Sequence, residues 1–180
     1  PYCPRCGTAL SSHEVAQGYK DVKEESAIAK FKVADQENTY FLAWTTTPWT
    51  LPSNVILTVN AKETYAKAKY ADYYVIMAEA LLESVLGEGN YEVVERMKGA
   101  DLEYVKYEPL FDFQPNGEDF KGYFMTCDDY VTLTDGTGIV HTAYAYGEDD
   151  YRVCKKYGER IATFVPLYPR TTTKGLWCLL

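Results

Sequence analysis

Apolar and charged residues alternate from Ile28 to Ala34, where Lys30 and Lys32 interrupt the apolar residues Ile28, Ala29, Phe31, Val33 and Ala34. That two-residue period is the mark of a half-buried strand. Gln36-Glu37-Asn38 reads as a turn, and Thr39 to Thr46 as the returning strand of a hairpin. Val55 to Val59 is a short apolar strand that Asn60 ends. Tyr65 to Lys69 alternates again, and Tyr73 to Met77 is a more continuous run. The period then changes: Ala78 to Leu86 has helical spacing, stopped by Gly87 and Gly89. Tyr91 to Met97 and Tyr123 to Cys127 are further strands, separated by an acidic, Pro- and Gly-punctuated segment over 108–122. Ile139-Val140 forms a last strand that ends at His141. Glu148-Asp149-Asp150 opens a helix that Lys155, Lys156 and Gly158 close, acids first and bases last, as the helix dipole favours. Periodicity alone therefore predicts a strand-rich mixed domain: mainly β, with flanking helices.

One stretch breaks the pattern. Trp44-Thr45-Thr46-Thr47-Pro48-Trp49-Thr50-Leu51-Pro52-Ser53-Asn54 follows the apolar run Tyr40 to Ala43. Its two prolines fix φ and lack an N–H, so the strand is expected to run into a stiff, kinked turn. Hydroxyls and two indoles would be displayed at its end. A Thr-Pro turn is also ordinary loop chemistry, so the stretch by itself decides nothing. Further on, Gly136-Thr137-Gly138 allows a close approach of backbone to a ligand or to a neighbouring strand.

Composition narrows the class. The 180 residues are one domain's worth of chain, 47% hydrophobic and with 17 tyrosines, enough for a substantial core. No run approaches the ~18–20 apolar residues of a membrane span, and the first residues carry Cys, Pro and Arg rather than a signal core. Five unevenly spaced cysteines argue against a disulfide framework, so a reducing, cytoplasmic setting is expected. The net charge of −8 excludes a protein whose whole surface binds nucleic acid. Residues 88–120 hold nine acidic and three basic side chains, and 152–180 hold six basic and one acidic. An RNA partner would therefore approach from the C-terminal side, although a merely solvated asymmetry reads equally well.

The threonine-rich stretch resembles the editing domain inserted into isoleucyl-tRNA synthetase. The valyl and leucyl enzymes usually carry an arginine before the proline and an acidic residue after it, where this chain has Thr47 and Trp49. A second block, Gly136 to Tyr151, resembles the other signature of the same domain, and the match covers roughly residues 1 to 160. The resemblance implies a closed six-stranded β-barrel core with helices outside. Residues 11–162 would be the editing domain and residues 1–10 half a zinc knuckle with its entry linker; the tail 163–180 is left unassigned.

The activity it implies is hydrolysis of valine wrongly attached to isoleucine tRNA, and of valyl-adenylate. A missing methylene is worth only ~1–3 kcal/mol of discrimination, a familiar limit for isoleucine against valine, so a second and smaller pocket is needed. By analogy, Asp150 binds the substrate ammonium, although an acid there also suits a helix N-terminus. His141 matches the histidine that limits side-chain size. With only two histidines in the chain a Ser-His-Asp triad is implausible, so His141 is read as a steric and hydrogen-bonding residue, not a general base. Thr45, Thr46, Thr47 and Thr50 would supply hydroxyls to the carbonyl, a water and the terminal ribose. Trp44 and Trp49 would form an apolar wall, and Asn54 would either bind the substrate or support the turn. The expected route is direct attack by an oriented water, with no cofactor.

Cys3-Pro4-Arg5-Cys6-Gly7 supplies two of the four ligands a structural zinc needs. His13 reads as a surface histidine. The expected partners are the acceptor end of isoleucine tRNA carrying valine and the remainder of the synthetase, with the domain a monomer. The ATP-site signatures His-Ile-Gly-His and Lys-Met-Ser-Lys-Ser are absent from this chain. Rival readings are the editing domain of the valyl or leucyl enzyme, a module that holds a tRNA end without chemistry, and a zinc-dependent nucleic-acid module. Tyr144 stands where the family usually has proline, which bears on the loop between His141 and Asp150.

Overall fold

The computed structural model describes residues 2–19, 25–111, 122–144 and 146–158. The alternating stretch forms the expected hairpin: β1 (Ala27–Lys32) pairs antiparallel with β2 (Thr39–Thr45), from Ala27 opposite Thr45 to Lys32 opposite Tyr40. β3 (Ile56–Val59) is buried throughout. β4 (Thr64–Tyr70) and β5 (Tyr73–Ala78) make a second hairpin, and β6 (Tyr91–Lys98) lies antiparallel on β4 with an irregularity at Lys67/Ala68. β7 (Met125–Cys127) and β8 (Val140–Thr142) are short inserts that the rest of the sheet holds in place.

The strand order is β6-β4-β5-β2-β8-β3-β7, with β1 on the remaining edge of β2. β2 therefore has both edges occupied. Its first half lies parallel to β5, and Trp44 near its end lies opposite Val140 of β8. Both faces of β2 are covered as well, only Tyr40 and Trp44 being half-buried, which is why Tyr40 to Ala43 read as an apolar run rather than a clean alternation. β3 runs antiparallel to β8 and parallel to β7.

The eight-stranded mixed sheet has open ends and is not a closed six-stranded barrel. Among the described residues, the stretch from Tyr104 to Glu108 joins the β1 and β7 sides through backbone hydrogen bonds and two isolated bridges, Val33 with Tyr107 and Lys106 with Phe124, rather than through a continuous ladder. The reason is local. Tyr104 and Tyr123 take up φ values of 67° and 60°, and a left-handed residue on each side interrupts the extended backbone a ladder requires.

The main core gathers Phe31, Phe41, Leu57, Tyr65, Met77 and Met125, all fully buried. Burial of such side chains contributes about 1.5–3 kcal/mol each. The predicted helix at Ala78–Leu86 is a 3-10 turn, Glu79–Leu81, followed by α2 (Leu82–Leu86) and ended by Gly87 at φ 83°. It follows α1 (Ser12–Ala16), a single short helix with a capping box between Ser11 and Glu14. The last helix, α3 (Glu148–Lys156), packs Val153 and Cys154, with Tyr157 just beyond it, onto Val55, Ile56 and Phe124. That second, smaller cluster fixes α3 beside β3 and β8. Among the described residues no helix is long and apolar enough to cross a membrane. The tail 163–180 and most of the 108–122 segment lie outside the described residues.

Candidate functional site

The threonine-rich stretch does not merely kink; it winds into a 3-10 helix, Pro48–Ser53. Pro48 occupies the first helical position, where a missing N–H costs nothing. The backbone closes through Thr50 N–H to Thr47 O at 3.0 Å and Asn54 N–H to Leu51 O at 3.0 Å. Asn54 is buried at the exit: its amide donates to Ile56 O at 2.9 Å, and its carbonyl accepts from Tyr107 Oη at 2.6 Å. Both ends of that side chain thus bond within the fold.

At the entrance, three hydroxyls converge. Thr45 Oγ1 accepts the Thr47 N–H at 3.0 Å and lies 3.4 Å from Thr47 Oγ1. Thr47 Oγ1 lies 3.3 Å from Thr50 Oγ1, and Thr50 Oγ1 donates to Thr47 O at 2.8 Å. Thr45 and Thr50 are buried and Thr47 is exposed, so the cluster has a buried base and an open face. His141, from β8, completes it: its Nε2 is 2.8 Å from Thr50 Oγ1. Burial pushes this imidazole down to about 4, so the ring is neutral at physiological pH. Residues 91 positions apart in the chain are joined here by one hydrogen bond.

The second block positions His141 through close backbone approach. A Cβ on Gly136 (φ 75°) would stand 2.8 Å from the Trp44 ring, and one on Gly138 (φ 70°) would stand 2.5 Å from Ala78 Cβ. Neighbouring strands, not a ligand, occupy that space. Trp44 N–H donates to Ile139 O at 3.2 Å, and Tyr65 Oη donates to Gly138 O at 2.7 Å.

After β8 the chain turns back so that Asp150, in the first turn of α3, accepts the Ala143 N–H at 2.8 Å. Its carboxylate is thereby tied two residues beyond His141. Burial raises its pKa, and the Ala143 N–H only partly opposes this. Gly147 is required beside it, since a Cβ there would lie 2.4 Å from Asp150 Oδ2. Gly147→Ala is expected to break the Asp150–Ala143 bond, read as loss of hydrogen-exchange protection at the Ala143 amide. The cost in denaturant unfolding should be about 1 kcal/mol.

Other expected residues stand differently. Thr46 is exposed, and Trp49 is 61% exposed at the rim rather than packed as a wall; Trp44 is half-buried over Gly136. Several supports were not legible in the sequence. Tyr146 Oη and Ser53 Oγ, 3.2 Å apart, tie the loop after β8 to the 3-10 helix. Beneath the loop, Thr58 Oγ1 bonds Thr126 Oγ1 and Thr142 Oγ1 at 3.0 and 2.9 Å, and the Tyr130 hydroxyl joins this buried group. The signal in the sequence is only a threonine in each of three strands, too common to read. A separate cleft lined by Cys127, Asp128, Asp129, Arg152 and Lys156 has its guanidinium already paired with Asp128 and Asp149. At the N-terminus the Thr8 hydroxyl, its backbone and the Cys3 thiol draw the Cys6 thiol down to about 7. No third metal-binding side chain joins Cys3 and Cys6 among the described residues, so the pair is not a complete zinc site. His13 is exposed and contacts Gln17, as expected of a surface histidine.

The architecture is that of aminoacyl-tRNA synthetase editing domains. It matches the editing domain of the P. knowlesi cytosolic leucyl-tRNA synthetase with a TM-score of 0.60 at 17% identity, over 81% of this chain and 69% of that one. The corresponding P. falciparum domain gives 0.54 at 14% identity, over 68% and 46%. No protein-family model matches the chain. In sequence it is 58% identical over 159 residues to the isoleucine–tRNA ligase of Clostridium tetani, covering 88% of this chain and 15% of that protein. The Clostridium kluyveri ligase is 53% identical over 97% of this chain and 16% of its own length. The Bacillus thuringiensis ligase is 53% identical over 88% and 15%. The chain belongs to the isoleucine–tRNA ligase family, and it spans about a seventh of the length of these relatives.

Proposed function

We propose that this chain is the proofreading module of an isoleucine–tRNA ligase and hydrolyses valine esterified to isoleucine tRNA. The observation that carries the reading is the cluster of Thr45, Thr47, Thr50 and His141, held at the end of the central strand. It offers hydroxyls on an open face above a buried, uncharged imidazole, with a carboxylate anchored two residues away along β8. The hydroxyl beside the imidazole, Thr50, donates to the Thr47 carbonyl, and His141 Nδ1 has no carboxylate behind it, which supports attack by water rather than by a side chain on the ester carbonyl. The Asp150 carboxylate holds the α-ammonium, the hydroxyls orient water and carbonyl, and His141 limits the side chain. The water oxygen bonds to the ester carbonyl carbon, and the bond from that carbon to the ribose oxygen breaks. A proton from the water ends on the ribose oxygen, leaving the free tRNA hydroxyl and the free amino acid.

The partners of this reading are the acylated tRNA end and the rest of the synthetase. Cys3 and Cys6 would supply two thiolate ligands to a structural zinc, the remaining ligands coming from elsewhere in the synthetase.

The test is deacylation of isoleucine tRNA charged with valine or with isoleucine, alongside valine tRNA charged with threonine. Hydrolysis confined to the first substrate is expected. Cleavage of the threonyl ester instead would favour the valyl-enzyme reading, and binding without cleavage the non-catalytic one. His141→Ala should open the wall by several methylenes' volume and relax selectivity for valine over isoleucine by about 10-fold. Unchanged selectivity would remove the steric role.

A further inference from the structure

His141 Nε2 is 2.8 Å from Thr50 Oγ1, while Nδ1 is buried without a hydrogen-bond partner. A neutral imidazole carries one N–H and one lone pair, and a hydroxyl carries one proton. The Thr50 proton is committed, because Oγ1 donates to the Thr47 carbonyl, which can only accept. The ring must therefore be the donor in the His141–Thr50 bond. The opposite assignment would bury an N–H at Nδ1 with no acceptor and also break the Thr50–Thr47 bond. An unmet lone pair is the lesser cost.

We infer that His141 is a positioning residue: as the Nε2–H tautomer it turns the Thr50 hydroxyl onto the Thr47 carbonyl and so sets the direction of every hydroxyl in the cluster. Thr50 Oγ1, donating to the carbonyl and accepting from the ring, has one lone pair left, 3.3 Å from Thr47 Oγ1. Thr47 Oγ1 sends its proton to that lone pair and presents its own lone pairs on the exposed face. Thr45 Oγ1, which already receives the Thr47 N–H, lies 3.4 Å to its other side. What the cluster offers a ligand at Thr47 is thus a hydrogen-bond acceptor, and the ligand it fits is the attacking water, whose O–H it holds while an oxygen lone pair faces the ester. The ring never exchanges a proton in this arrangement; burial keeps it uncharged. This inference rests on the proofreading reading for its ligand, but the tautomer does not.

Long-range proton–nitrogen spectra of the 180-residue chain read the tautomer directly, with His13→Gln assigning the two rings. Protonated Nε2 and unprotonated Nδ1 at His141 are expected; a proton on Nδ1 overturns the inference. On a valyl-tRNA substrate, Thr50→Val should lower kcat about 10²-fold with KM little changed, whereas Thr50→Ser keeps most of the rate. His141→Gln, whose amide N–H reaches the Nε2 place, should retain more kcat than His141→Leu. Equal rates for Thr50→Val and the parent, or equal losses for Ser and Val, would overturn the positioning role. A parent chain that leaves the ester intact would instead refute the proofreading reading, while the spectra still decide the tautomer.

Discussion

Asp150→Asn is expected to leave the fold intact while lowering hydrolysis of a valyl ester roughly 10²-fold, about 3 kcal/mol for a lost partner of a buried charge. Asparagine keeps a carbonyl oxygen for the Ala143 N–H and removes only the charge. Burial is the largest influence on this carboxyl and raises its pKa, and the neighbouring Asp149 adds to the rise. A carboxyl whose folded pKa lies above its unfolded value contributes most to stability when protonated. That contribution is present below the unfolded pKa and is lost as pH rises through the folded one. At neutral pH the ionised group is therefore a burden on the fold that the Ala143 N–H relieves in part and a bound cation would relieve further. Thermal unfolding of Asp150→Asn at neutral pH should be unchanged or higher than the parent, and the difference should shrink as the pH is lowered. Full deacylation by a well-folded Asp150→Asn would end the ammonium role.

Gly99→Ala should be among the most damaging single substitutions outside the site. Its Cβ would stand 2.0 Å from the Asn60 carbonyl oxygen and 3.0 Å from the Tyr65 ring. Neither neighbour can step aside. Asn60 N–H donates to Tyr65 Oη at 3.0 Å, Gly99 N–H donates to Glu63 O at 3.0 Å, and Ala100 N–H donates to Ala61 O at 3.2 Å. Backbone therefore has to move against three hydrogen bonds, and overpacking of this kind costs about 3 kcal/mol. For a domain of this size the melting temperature should fall by about 10 °C. The displaced Tyr65 hydroxyl also holds Gly138 O, so the strand carrying His141 loses a support. A melting temperature within a degree or two of the parent would show that the turn at Asn60 yields more easily than its hydrogen bonds suggest.

Local pattern reported the strands well because each is a matter of neighbours in sequence. The alternation at Ile28–Val33 marks β1, and the loss of alternation at Tyr40–Ala43 marks a strand buried on both faces. The pairing partners are another matter. Parallel contacts of β2 with β5 and of β3 with β7 leave no local trace, and neither does the left-handed backbone at Tyr104 and Tyr123 that keeps the sheet from closing. The two prolines at 48 and 52 signal a break, yet Pro48 serves as the first residue of a 3-10 helix, since position within an element and not presence decides what a proline does. In the site, the hydroxyl cluster and the histidine were both legible as separate signatures. That Thr50 and His141 share a hydrogen bond was not, because nothing in either segment encodes the other.

The site joins segments of the chain that are made far apart in time. Thr50 emerges from the ribosome long before His141, 91 residues later, and Asp150 follows nine residues after that. A nascent chain holding only the first strands possesses the threonines but no imidazole to orient them and no acid beside them. Contacts of such long sequence separation form late, after loop closure has been met by other pairings. The geometry of the hydroxyl cluster should consequently arise in a single step near the completion of this segment, so that shorter nascent chains hold the threonines without the arrangement.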